Sequence, residues 1–85
     1  KPLSVSKNKM TNLIIAPNPT KGAVNISSND IISHIEIYSI EGHLIQSVPV
    51  QSKSIEINLN GVSPGMYLMK VKSGQMVTTK RIIKE

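Results

Sequence analysis

The residues of this sequence that could do acid–base or metal chemistry are few and widely spaced. His34 and Glu36 are two positions apart, so in a β-strand both would point to one face, where they could share a proton or a metal ion. Protein metal sites usually need a third ligand, and the other histidine, His43, falls at a predicted hairpin turn. We therefore expect a solvated strand face here and no metal site.

Nucleophilic and phosphate chemistry lack their usual sequence context. Serines and threonines are numerous, but none lies in a nucleophile elbow or beside an oxyanion-type glycine cluster. Each of the five glycines falls at a predicted turn, and no predicted helix follows one to form a phosphate loop. The absence of cysteine excludes disulfides, thiolate metal sites and a cysteine nucleophile. We predict no enzyme, no catalytic residue and no cofactor.

Composition indicates a small all-β domain. The 85 residues are enough for one domain with a thin core. Phe and Trp are absent, so Ile, Val, Leu and Met must fill that core, which suits a sheet. No apolar run approaches the roughly 20 residues of a membrane helix, so we expect no membrane insertion.

The net charge of +5 is concentrated near the C-terminus. Nucleic-acid binding on a sheet generally also uses stacking aromatic residues, and the only aromatic residues are Tyr38 and Tyr67, so we expect no nucleic-acid partner. Lysines on an edge strand discourage aggregation, although an exposed edge can also accept a partner or a second copy by strand addition.

The chain is predicted to divide into a polar linker from an upstream protein, residues 1–11, and a C-terminal domain, residues 12–85. Short stretches with period-two alternation predict seven strands. These are residues 13–15, 23–27, 34–38, 43–48, 55–59, 67–71 and 76–83. Turns are predicted at 17–19, 20–22, 28–30, 41–42 and 73–74, with a type II turn at 63–66. Together they favour a seven-stranded antiparallel immunoglobulin-like β-sandwich, with an open barrel as the alternative.

The alternation also predicts which side chains are buried. Inward-facing positions are Val24, Ile26, Ile35, Ile37, Ile55, Ile57, Leu59, Tyr67, Met69 and Val71. Met66 and Met76 are expected to face outward, where they would add to a docking patch.

Four ordered blocks of residues carry a resemblance to a known family. They are residues 13–22, with Pro17, Asn18 and Pro19; residues 35–42, ending in Gly42; residues 57–67, with Gly65 and Tyr67; and Lys80, Arg81, Ile82, Ile83 and Lys84. Over Leu13 to Glu85 the chain resembles the type A C-terminal sorting domains of type IX secretion, the Por secretion system C-terminal domain family.

The resemblance implies a portable signal that directs an N-terminal cargo protein from the periplasm of a Gram-negative bacterium to the cell surface or medium. Its implied partners are the outer-membrane translocation machinery and a sortase-like signal peptidase, which would cut in or before residues 1–11. The alternative is an immunoglobulin-like adhesion or carbohydrate-binding accessory domain that stays on its parent protein.

Overall fold

The computed structural model describes residues 12–85, so the predicted linker at 1–11 lies outside the described residues. Five β-strands make up this part of the chain. They are β1 (Ile14–Ala16), β2 (Ala23–Ser39), β3 (Leu44–Asn58), β4 (Gly65–Ser73) and β5 (Met76–Lys84). Within residues 12–85 there is no helix long and apolar enough to cross a membrane.

The long strand β2 is the centre of one antiparallel sheet. β3 pairs along one of its edges from Ala23 to Tyr38. The other edge is shared, because β1 pairs with residues 25–27 and β4 pairs with residues 34–39. β5 then pairs with β4 along its whole length. The prediction of an antiparallel all-β fold is confirmed.

The predicted count of seven strands is wrong, because two predicted strand breaks, the turn at 28–30 and the gap between residues 48 and 55, lie inside continuous strands. The second and third predicted strands are both parts of β2, and the predicted turn at 28–30 is a register shift in its pairing with β3. There the hydroxyl of Ser28 accepts a hydrogen bond from the backbone N–H of Asp30 at 2.8 Å. A β-bulge of this kind bends a strand without ending it.

The fourth and fifth predicted strands are likewise both parts of β3, which continues through Pro49. Pro49 lies opposite His34, whose other neighbour is Lys72 in β4. The N–H and C=O groups of one residue point to the same side of its strand, and those of the next residue point to the opposite side. At position 49 this side is the one away from β2, so the N–H that Pro49 lacks would not have bonded to β2. Proline is tolerated at such an outer edge.

The buried side chains form one aliphatic cluster drawn from β2 to β5 and the segment after β3. Its members are Val24, Ile26, Ile32, Ile35, Ile37, Val50, Ile57, Leu59, Tyr67, Met69, Val71 and Ile82. In β2 the inward positions change from even to odd between Ile32 and Ile35, where the register with β3 shifts. The irregular stretch between Ser27 and His34, where the register shifts twice, thus lets both halves of a bent strand face the same core.

Most burial predictions are confirmed, including those for Tyr67 and Met69. Met66 is exposed as expected, but Met76 packs against the core cluster and the outward prediction for it is wrong. Met76 directly follows the hairpin loop and pairs with Ser73. Its flexible side chain folds inward over the end of the core, which a long thioether can do.

Two predicted hairpins are present and one turn is displaced. Gly42, with φ 97°, lies in the β2–β3 loop, and Gly74, with φ 59°, lies in the β4–β5 loop. The predicted type II turn at 63–66 is wrong: Gly65 is the first residue of β4 with φ 155°, whereas that turn needs about +80°. The reversal occurs earlier, where the N–H of Val62 donates to the carbonyl of Leu59 at 2.9 Å.

Candidate functional site

The segment that follows β1 lies against the end of β5. Pro17, Asn18 and Pro19 form an exposed corner, with cis peptide bonds before both prolines. This corner and the last strand are more than 60 residues apart in sequence. The fold thus joins the first and last blocks that sequence analysis singled out.

Asn18 makes the first half of this junction with its side chain. Its amide nitrogen Nδ2 donates to the carbonyl of Arg81, and its Oδ1 accepts from the N–H of Ile83, both at 3.0 Å. A side-chain amide carries one donor and one acceptor group, as a peptide unit does. Asn18 therefore stands in for a residue of a neighbouring strand.

Thr20 makes the second half with its backbone. Its N–H donates to the carbonyl of Ile83 at 2.8 Å, and its carbonyl accepts from the N–H of Glu85 at 2.7 Å. Thr20 and Lys84 form an isolated parallel bridge. We call these four hydrogen bonds from Asn18 and Thr20 to residues 81–85 the clamp.

The side chain of Thr20 holds this backbone in place from inside the domain. It is 1% exposed. Its hydroxyl donates to the carbonyl of Ala23 at 2.7 Å and accepts from the N–H of Gly22 at 3.0 Å. Sequence analysis missed Thr20. The signal was a threonine two residues before a glycine, a pattern in which a hydroxyl caps its own turn.

The glycine and tyrosine of the third sequence block lie on the other side of the same strand end. Gly65 pairs with Lys84, and Tyr67 pairs with Ile82. The phenol of Tyr67 donates to the carbonyl of Ser63 at 2.6 Å, so the segment before β4 is tied to its ring. The end of β5 is thus paired with β4 on one edge and clamped on the other.

Gly42 does not join this site. It lies in the loop between β2 and β3, where the N–H of Ser39, the last residue of β2, donates to the carbonyl of His43 at 2.9 Å. Of the predicted motif residues, Gly42 is thus the member placed outside the clamped end.

The surface of the clamped end combines positive charge with exposed apolar area. Lys80 and Arg81 are exposed, whereas Lys84 is 8% exposed and its ammonium donates to the carbonyl of Glu85 at 3.2 Å. Met66 and Ile83 pair across β4 and β5 and are 41% and 42% exposed. Such a surface suits protein contact better than a small polar ligand.

His34 and Glu36 share the outer face of β2, as their spacing predicted, but each has a different partner. His34 Nε2 lies 2.6 Å from the hydroxyl of Ser47. Tyr38 donates to Glu36 at 2.8 Å, and Lys72 lies 3.4 Å from the same carboxylate oxygen. Among residues 12–85 no group of three His, Asp or Glu side chains is placed to hold a metal ion.

The hydrogen bond from Tyr38 lowers the pKa of Glu36, with Lys72 and His34 adding to the effect against the cost of desolvation. The same hydrogen bond raises the pKa of Tyr38. The ammonium of Lys70 lies 5.2 Å from the centre of the Tyr38 ring. These contacts join Glu36, Tyr38, Lys70 and Lys72 in one network on the outer face of the sheet.

Two comparisons with known proteins cover most of the chain. Residues 14–85 match the family described as the secretion system C-terminal sorting domain. The chain is also similar to beta-agarase A of Zobellia galactanivorans, with 35% identity over 75 residues. That match covers 86% of this chain and 13% of the relative, so the chain spans a small part of the relative's length.

Proposed function

Because the chain belongs to the family of secretion-system C-terminal sorting domains, we propose that its clamped end is the surface that the secretion machinery recognises. Domains of this family are C-terminal sorting signals for type IX secretion. They direct an attached cargo protein out of the cell. The observation that supports the proposal is the clamp itself, which joins two sequence blocks more than 60 residues apart at one surface.

The proposed partners follow from that role. The cargo lies N-terminal to residue 12 in the same polypeptide, the outer-membrane translocation machinery contacts the clamped end, and a sortase-like signal peptidase cuts in or before residues 1–11. The cargo passes through the periplasm and is then anchored at the surface or released. The domain itself performs no chemistry.

The clamp makes recognition depend on folding. Asn18 and Thr20 hold one edge of residues 81–85, and β4 pairs with the other edge of β5. We infer that the machinery recognises a folded surface, and that the sheet closes on its core as a sandwich-like body. Self-association through an edge strand stays a prediction, which the elution volume of the purified chain in size-exclusion chromatography checks.

The test of the proposal is export of a fluorescent protein fused in front of residues 1–85. The fusion carries a periplasmic export signal and is expressed in strains with and without type IX machinery. We expect fluorescence at the surface or in the medium only where the machinery is present. Loss of mass equal to the domain would identify cleavage. Periplasmic retention in both strains would contradict the proposal and favour an accessory domain that stays on its parent.

Surface variants distinguish recognition from folding. Deletion of Ile82 to Glu85 removes a buried core residue as well as the clamped end, so it should trap the fusion in the periplasm for either reason. The double variant Lys80→Ala/Arg81→Ala removes only exposed side chains. We expect it to fold and still lose most export, whereas Lys53→Ala on β3 should be exported normally. Normal export of the double variant would show that these charges are not recognised.

A further inference from the structure

The outer edge of β5 is only partly occupied by the clamp. Ser73 and Met76 pair at the end of a two-residue hairpin loop, so alternate residues of β5 bond to β4 and those between them direct their N–H and C=O groups outward. Arg81 and Ile83 are outward residues, and the clamp bonds them. Val77 and Thr79 come earlier in the same series, and no strand of residues 12–85 pairs with them at this edge.

A groove lies where the clamp ends. It has a volume of about 240 Å³ and is lined by Leu13, Ile15, Asn18, Lys80 and Arg81. Leu13 and Ile15 pack against the core cluster and supply the apolar part. The volume is below the roughly 300–1,000 Å³ of ordinary small-molecule pockets. It is better matched to one side chain of an extended peptide lying along the edge.

The charge beside the groove favours an acidic occupant. β4 and β5 contain Lys70, Lys72, Lys80, Arg81 and Lys84 and no acidic residue. Within residues 12–85, Lys72 is the member of this group that forms an ion pair. Its partner is Glu36 of β2, on the edge of β4 that faces away from β5. Lys80 and Arg81 are both exposed at the groove. A cationic edge of this kind attracts negatively charged segments.

We propose that the edge of β5 from Val77 to Arg81 binds an extended acidic segment of a partner protein by strand addition. The N–H and C=O groups of Val77 and Thr79 pair with the segment's backbone. One of its side chains enters the groove beside Leu13 and Ile15, and its carboxylates lie near Lys80 and Arg81. Assigning the segment to the secretion machinery rests on the proposed function, whereas the binding of the peptide does not.

The probe is a capped, fluorescent eight-residue peptide, Thr-Glu-Val-Glu-Val-Glu-Val-Thr, titrated into the 85-residue chain. We expect the amide exchange of Val77 and Thr79 to slow on binding, as measured by NMR. A peptide with lysine in place of glutamate should bind at least about tenfold more weakly, as expected when complementary charge is reversed. Equal binding of that peptide would overturn the proposal, as would unchanged exchange at Val77 and Thr79.

Two variants and one control test the geometry. Thr79→Pro removes an outward N–H and should weaken binding roughly three- to tenfold, the value of one main-chain hydrogen bond. Lys80→Glu should weaken it by about tenfold, and Lys53→Glu, an equal charge change on β3, by less than about twofold. If circular dichroism shows that Thr79→Pro is unfolded, the binding measured for Lys80→Glu tests the site instead. If Lys80→Glu and Lys53→Glu weaken peptide binding equally, the effect depends on net charge alone, and the proposed binding site at β5 is wrong.

Nucleic acid is the competing occupant of a cationic edge. Single-stranded DNA that binds as tightly as the acidic peptide and protects the same amides would contradict a peptide site. The export assay then separates this proposal from the proposed function. If Thr79→Pro weakens peptide binding as expected but its fusion is exported normally, the sorting role stands and the machinery is not the partner at this edge. If even the unmodified fusion is not exported, the sorting proposal fails while the peptide result is unaffected.

Discussion

At the scale of single residues, Asn18 does for β5 what a neighbouring strand does elsewhere in the sheet. Its side chain supplies one donor and one acceptor to the outward groups of Arg81 and Ile83. A hydrogen bond contributes about 0.5–1.5 kcal/mol to stability when it forms, and more when its loss leaves a buried group unpaired. The corner containing Asn18 is exposed, so water can partly replace what a mutation removes.

Asn18→Ala should lower the free energy of unfolding by roughly 1–2 kcal/mol, because two hydrogen bonds are lost. Asn18→Asp keeps an acceptor for Ile83 but turns a carboxylate oxygen toward the carbonyl of Arg81, so it should also destabilise. Denaturant unfolding measures both, and amide exchange at Ile83 should accelerate. The matched control is Asn25→Ala on β2, expected to change stability by less than about 0.5 kcal/mol. An equal loss in the control would refute the role of the clamp.

Tyr38→Phe should raise the pKa of Glu36 toward its ordinary value, because the phenol hydrogen bond is the largest cause of its lowering. In the folded protein that lowered pKa contributes stability above the pH at which Glu36 titrates in the unfolded chain. The contribution is lost as pH falls through the folded pKa. NMR titration of the Glu36 carboxyl checks the shift. Tyr67→Phe is the control, since Tyr67 donates to Ser63. An unmoved midpoint in Tyr38→Phe would contradict the assignment.

At the scale of elements, β5 has a core side and a surface side that alternate through the motif. Ile82 is fully buried, and its neighbour Ile83 is 42% exposed. Two adjacent residues of one sequence block therefore have different roles. Loss of export in a variant at Ile82 reports folding, whereas loss in a variant at Ile83 reports the surface.

Ile82→Ala should cost about 2–5 kcal/mol in unfolding free energy, through lost burial and a residual cavity. Ile83→Ala should cost less than about 1 kcal/mol, because the side chain is 42% exposed and the clamp bonds only the backbone of Ile83, which the substitution leaves in place. Chemical denaturation of both variants makes the comparison. In the export assay Ile83→Ala tests recognition without unfolding the domain. Similar destabilisation by the two variants would contradict the placement of β5.

At the scale of the whole molecule, the distribution of charge is the main electrostatic feature. The chain carries a net charge of +5. Five of its cations lie on the adjacent strands β4 and β5. The half-buried pair of Lys72 with Glu36 offsets one of these cations, so mutual repulsion among the others should dominate the response to salt.

Raising NaCl from about 0.01 M to about 0.15 M shortens the Debye length from about 30 Å to about 8 Å. Screening of the repulsion should then raise Tm by roughly 2–4 °C, the shift expected from about 0.5 kcal/mol in a domain of this size. Thermal unfolding by circular dichroism measures it. Lys80→Glu removes part of the repulsion and should show a smaller rise. A fall in Tm with salt would mean that favourable ion pairs outweigh the repulsion.

The sequence by itself determined the fold class, most of the core, two of the hairpins and the family. These depend on local patterns: Ile35 and Ile37 alternate with polar residues, glycines sit where φ is positive, and the motif blocks keep their order. Local sequence does not decide whether a polar stretch such as Ser28 to Asp30 is a turn or a bulge. Turns and bulges start from similar residues, and only the pairing with β3 keeps β2 continuous here. The clamp also depended on tertiary structure. Asn18 and Thr20 acquire their function because the bent sheet brings them to the edge of a strand more than 60 residues away, and no local pattern encodes that contact.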